Sequence, residues 1–131
     1  MSESADNAET EVASRVELDP ARVRELSDAG EAELIDVRRG YEFEEGHLPD
    51  ARRIEVNELT GQAGSIPKDR PVVFYCRTGN RSGLAATAFR EAGYDAHNMA
   101  GGITAWVEAG YELEPEGGRV VEPRPPSAEE R

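Results

Sequence analysis

The stretch PVVFYCRTGNRSGLAATAFREAG, residues 71–93, sets the fold class. Val72, Val73, Phe74 and Tyr75 form an unbroken apolar run after Pro71, the pattern of a strand buried on both faces. From Ser82 to Ala92 the period changes. Leu84, Ala85, Ala88, Phe89 and Ala92 fall on one helical face, and Gly93 stops the helix. Between them lies Cys76-Arg77-Thr78-Gly79-Asn80-Arg81-Ser82. A strand that runs directly into a helix belongs to an open, mostly parallel sheet, where ligands bind beyond the carboxyl ends of the strands. Cys76 stands at that end.

The loop has the composition of an anion cradle. The helix start offers unpaired N–H groups and the positive end of a dipole. Gly79 and Asn80 tolerate positive φ, so the loop can curl and turn N–H groups inward. Arg77 and Arg81 add fixed positive charge. A thiolate so placed has a lowered pKa, and the thiolate is the nucleophile. The same groups suit an anionic sulfur carried on Cys76. Thr78 and Asn80 are expected to shape the loop, and Arg77 and Arg81 to attract an anion. Arg81 opposes the helix dipole, a placement easier to understand beside a bound anion.

Working outward, short apolar runs alternate with helical patterns. Strands are expected at Val16–Leu18, Glu33–Val37, Arg53–Val56, Pro71–Tyr75 and Tyr94–Met99. Asp19 caps a helix that opens with Pro20 and ends near Gly30, with Val23 and Leu26 on one face. Short helices are expected at Tyr41–Glu45, closed by Gly46, and near Glu58. A last helix spans Gly102–Ala109 with Trp106 as a packing residue. The result is an α/β fold, a five-stranded, mostly parallel sheet between two helical layers. It should occupy residues 15–113. Residues 1–14 are acidic and polar, and residues 114–131 are rich in Pro, Glu, Gly and Arg, so both ends read as disordered or flexible tails.

Bulk composition narrows the function. The 131 residues suit one domain. Formal net charge is −12, from 27 acidic and 15 basic side chains, which argues against direct binding of nucleic acid or anionic membrane. Lys68 is the only lysine. That scarcity, with the acidic surface, suggests adaptation to a salt-rich interior. No apolar run approaches the ~20 residues of a membrane span, and the N-terminus lacks the basic start and apolar middle of a signal peptide, so the expected location is the cytoplasm. One cysteine and two histidines, His47 and His97, make a zinc site unexpected. No second thiol is present to resolve a persulfide or disulfide on Cys76.

Three segments in order resemble the rhodanese family in its single-domain form. Leu34-Ile35-Asp36-Val37-Arg38, Glu42-Phe43 and Gly46-His47-Leu48-Pro49-Asp50-Ala51 resemble its N-terminal signature. Cys76 to Ser82 resembles its catalytic loop. Gly101-Gly102-Ile103-Thr104-Ala105-Trp106, with Ala109-Gly110-Tyr111, resembles its C-terminal signature. Asp50 stands where the family often has Gly, and Asp tolerates a turn. The resemblance implies a sulfurtransferase in which Cys76 takes sulfur from a small anionic donor such as thiosulfate. The persulfide would pass its sulfur to cyanide, a thiol or a protein acceptor. It implies no metal or organic cofactor, and a monomer is expected.

Asp36 and Arg38, at the end of a strand on the Cys76 side, either line the pocket or order the neighbouring loop through an ion pair. His47 belongs to a turn signature, and a thiolate stabilised by its loop needs no base. Three other functions compete. Cysteine phosphatases place Arg after Cys and five further residues; here that position is Ser82, with Arg81 one place early. A non-catalytic module would not need the cysteine within a complete loop. A relay that delivers sulfur to a partner protein uses the same half-reactions.

Overall fold

In the computed structural model, which describes residues 15–123, a five-stranded sheet is sandwiched between helices. The chain runs β1 (Glu17–Leu18), α1 (Pro20–Asp28), β2 (Glu33–Asp36), α2 (Gly40–Glu45), β3 (Arg52–Arg53), a 3-10 turn at Val56–Glu58, α3 (Leu59–Gln62), β4 (Val72–Tyr75), α4 (Asn80–Glu91), β5 (Ala96–Met99) and α5 (Gly102–Glu108). The strand order is β1-β5-β4-β2-β3 and every pairing is parallel. Of the tails assigned by composition, 1–14 and 114–131, residues 1–14 and 124–131 lie outside the described residues.

Alternation along the central strands divides the core. Ile35, Val72, Phe74 and Ala96 face α4 and α3, against Ala85, Ala86, Phe89 and Leu59. Leu34, Val73, Tyr75 and Met99 face α1 and α5, against Val23, Leu26, Ile103 and Trp106. This two-sided burial explains the apolar run in β4. Register then aligns the carboxyl ends: Asp36 pairs with Tyr75, and Phe74 with Asn98. Cys76, the next residue after β4, is therefore flanked by the ends of β2 and β5.

Local signals behave as their chemistry requires. Asp19 caps α1 by accepting from the Arg22 N–H at 2.8 Å. Asp50 takes a left-handed turn at φ 65°. Three expectations need correction. Leu84 was expected on the buried face of α4 but is 77% exposed, and Ala88 and Ala92 are exposed as well. The buried face is Ser82, Ala85, Ala86 and Phe89, an i, i+3, i+4, i+7 set. Its rotation is fixed by Ser82 turning toward Cys76, a polar contact that an apolar count omits. The strand expected at Arg53–Val56 is shorter and earlier, because Val56 begins the 3-10 turn. Gly46 ends α2 in extended backbone, φ 172°, not in a left-handed cap.

What requires glycine at position 46 is a close approach. A Cβ there would lie 2.5 Å from the Arg119 carbonyl oxygen. Residues 114–123 fold back along α2 as a strap. His47 and Glu114 exchange two backbone hydrogen bonds of 2.9 and 2.8 Å, and the Arg119 N–H donates to the Glu45 carbonyl at 2.8 Å. Val121 and Glu122 lie beside Tyr41 and Glu45, which brings Pro123 beside Arg39.

Candidate active site

Cys76 is buried, only 1% exposed, and its sulfur faces the start of α4. That helix has no side-chain cap; Gly79 precedes it in the left-handed region, φ 102°. The sulfur takes the place of the missing cap. Gly79 N–H donates to Cys76 Sγ at 3.1 Å, and Ser82 Oγ lies 3.3 Å from it. Burial pushes the thiol pKa up, but hydrogen bonds from the Ser82 hydroxyl and the backbone N–H groups of Ser82, Gly79 and Thr78 outweigh it, so the pKa is lowered.

The loop is fixed from below by α5. Ile103 N–H donates to the Cys76 carbonyl at 2.9 Å and Thr104 N–H to the Arg77 carbonyl at 3.1 Å. This approach needs Gly102, at φ 63°, where a Cβ would sit 2.5 Å from both carbonyl oxygens. Gly102 of the C-terminal signature is thus a packing requirement of the Cys76 loop.

Above the sulfur is a pocket of about 370 Å³ lined by Arg39, Cys76, Arg77, Thr78, Asn80, Arg81 and Pro123. Three arginines thus line the pocket that holds the one thiol, and give it a positive potential. Arg81 is steered from behind: its Nη2 lies 3.6 Å from Glu42 Oε2, and the Glu42 carboxylate is fully buried. The other carboxylate oxygen, Oε1, accepts from the Arg39 N–H at 3.2 Å.

Asp36 and Arg38 are not in this pocket. Both are fully buried, and Arg38 Nε and Nη2 grip the two Asp36 oxygens at 2.6–3.1 Å. Arg38 Nη2 also donates to the Gly46 carbonyl at 2.8 Å, which ties β2 to the end of α2. Burial would lower the Arg38 pKa, but the Asp36 carboxylate overcomes this and raises it. His47 also stands away from the sulfur, stacked on Phe43 with ring centroids 3.8 Å apart and Nδ1 2.9 Å from the Phe43 carbonyl.

Sequence reading did not single out four residues of this region: Arg39, Pro123, Asn98 and Glu42 as the partner of Arg81. Pro123 reaches the pocket only through the strap. Asn98, on β5, bonds Ser82 and carries one available signal, a polar residue in a strand that must be buried.

Known proteins share this fold and much of this sequence. Residues 19–109 match the rhodanese-like domain family. A sulfurtransferase of Allochromatium vinosum is 38% identical over 94 residues, 70% of this chain and 88% of that protein. The thiosulfate sulfurtransferase GlpE of Shewanella oneidensis is 33% identical over 86 residues, 65% of this chain and 85% of that protein. Among solved structures, a rhodanese-related protein from Thermoplasma volcanium superposes with a TM-score of 0.71 at 26% identity, over 76% of this chain and 98% of that one. A buried-strand cysteine capping a helix start, in a fold and sequence shared with these proteins, places this chain in the rhodanese-like sulfurtransferase family.

Proposed function

We propose that the protein moves sulfane sulfur from a small anionic donor such as thiosulfate to a thiophilic acceptor through a persulfide on Cys76. The observation that carries this reading is the convergence of the loop N–H groups and the Ser82 hydroxyl on one sulfur beneath an arginine-lined pocket.

In the first half-reaction the Cys76 thiolate attacks the outer sulfur of the donor. The Sγ–S bond forms, the donor S–S bond breaks, and sulfite leaves with the electron pair. The outer sulfur of the persulfide carries the negative charge, which the loop N–H groups and helix dipole stabilise. In the second half-reaction cyanide or a thiolate attacks that outer sulfur, and the electron pair returns to Sγ. Arg77 and Arg81 draw the dianionic donor in and stabilise the departing sulfite. Asp36 and Arg38 lie outside the pocket and tie the end of β2 to the end of α2. No metal or organic cofactor enters either step. With no second cysteine in the chain, the acceptor comes from outside it. Soluble action in the cytoplasm belongs to the same reading.

Two half-reactions through a covalent intermediate give ping-pong kinetics. Initial rates at varied thiosulfate and cyanide should yield parallel double-reciprocal lines. Intersecting lines, or hydrolysis of an aryl phosphate faster than thiocyanate formation, would count against the proposal.

A further inference from the structure

The Ser82 hydroxyl carries one hydrogen and faces two acceptors. Its oxygen lies 3.3 Å from Cys76 Sγ and 2.5 Å from Asn98 Oδ1. It donates to one of them at a time. The orientation of Asn98 is set by its other contacts. Its amide nitrogen donates to both carboxylate oxygens of Glu17, at 3.0 and 3.1 Å, and to the Gly79 carbonyl at 3.2 Å. Those partners only accept, so nitrogen faces them and Oδ1 faces Ser82. The edge strand β1 thereby reaches the nucleophile through β5 and α4, in a chain Glu17, Asn98, Ser82, Cys76. Ser82 and Asn98 are both buried, so an unpaired oxygen there finds no bulk water.

We propose that Asn98 is a positioning residue for the nucleophile, which competes with Cys76 for the single proton of the Ser82 hydroxyl. This rests on the sulfur-transfer reading above and adds a tuning element to it. With Cys76 as a thiol, S–H donates to Ser82 Oγ and Ser82 donates to Asn98, so every group is paired. When the thiol proton leaves to solvent, the Ser82 O–H turns to Sγ and Asn98 Oδ1 loses its donor. Asn98 therefore opposes the thiolate and keeps it more basic than the loop N–H groups and an uncontested Ser82 hydroxyl would. A more basic thiolate is the stronger nucleophile. Once sulfur is loaded, Sγ is uncharged and the charge sits on the outer sulfur. The Ser82 proton returns to Asn98. The residue that opposes the thiolate thus favours the persulfide.

Other charged groups near the sulfur are Arg77 and Arg81 of the loop, Arg39 of α2, Glu42 behind Arg81, and the Asp36–Arg38 pair at the end of β2. Tyr75 precedes Cys76 on β4 and is held protonated by burial first and by the Asp36 charge second. None of these is altered by the substitutions below.

The chain has a single cysteine, so ultraviolet thiolate absorbance, with Cys76→Ser subtracted to remove the four tyrosines, titrates Cys76 alone. In the full chain, Asn98→Ala should lower the thiol midpoint by about one pH unit, and Ser82→Ala should raise it. The double variant should match Ser82→Ala, because without the hydroxyl there is no proton to compete for. A mere loosening of the loop would raise the midpoint in both single variants. An unchanged or raised midpoint in Asn98→Ala, or a downshift that persists in the Ser82→Ala background, overturns the proposal. Should Asn98→Ala fail to fold, Glu17→Ala at the sheet edge releases the same amide. Its downshift must be larger with Ser82 present than without it. The titration needs no sulfur donor, so its failure leaves sulfur loading, measured separately by intact mass, to be judged by its own result.

Discussion

Arg81 Nη2 and Glu42 Oε2 stand 3.6 Å apart, the carboxylate fully buried and the arginine side chain 35% exposed in the lining of the Cys76 pocket. The pair accounts for the arginine's unfavourable position at a helix start. Removing the arginine leaves a buried charge unpaired, whereas removing the charge alone does not. Arg81→Ala should lower stability by about 1–3 kcal/mol in urea denaturation, and adding Glu42→Gln should restore part of that loss. Glu42→Gln alone should raise KM for thiosulfate several-fold with a smaller change in kcat, because the arginine is retained but no longer aimed. A double variant less stable than Arg81→Ala would contradict this account.

The two glycines that admit close backbone contacts should fail differently. Gly102→Ala places a Cβ 2.5 Å from the Cys76 and Arg77 carbonyl oxygens, in left-handed backbone. Sulfur loading should fall by more than tenfold, with stability also reduced. Gly46→Ala meets the strap, at 2.5 Å from the Arg119 carbonyl oxygen. It should cost about 1–3 kcal/mol and expose residues 114–123 to proteolysis while loading is retained. Equal loss of loading in both variants would break the distinction.

The depressed thiol of Cys76 gives two pH effects of known sign. Burial works against ionisation, and hydrogen bonds from Ser82, Gly79 and Thr78 outweigh it. Loading from thiosulfate should rise as pH passes a midpoint below the ordinary thiol range and level off above it. The group also binds its proton less tightly when folded than when unfolded. Its contribution to stability is therefore complete above the unfolded thiol pKa and lost as pH falls through the folded one. Ser82→Ala should move the loading midpoint upward. A midpoint at or above that of a free thiol would oppose the assignment.

The net charge of −12 makes self-repulsion a term that added salt screens. The thermal midpoint should rise between low and molar salt. Full stability and activity without added salt would argue against salt adaptation.

Much of the fold was legible because β4 and α4 differ in period, and because Asp19 and Pro20 mark a helix start by local chemistry. The position of the Cys76–Ser82 loop was legible for the same reason, since its turn residues and charges are contiguous. What escaped depends on polar contacts and backbone approaches that period and composition do not show. Leu84 looks core-facing until the Ser82–Cys76 contact fixes the rotation of α4. Asp36 and Arg38 sit at the correct sheet end but turn into each other and away from the pocket. Asn98 acquires meaning only when parallel pairing places β5 beside β4 and Glu17 beside Asn98. Pro123 reaches the site through a strap whose backbone contacts carry no residue signature.

The central claim is that Cys76 carries sulfur. Its most direct test is the intact mass of the full chain after incubation with thiosulfate, beside Cys76→Ser handled identically. The account predicts a gain of one sulfur atom in the unsubstituted protein, removed by cyanide, and none in Cys76→Ser. No gain in protein shown to be folded, or the same gain in both, would contradict it.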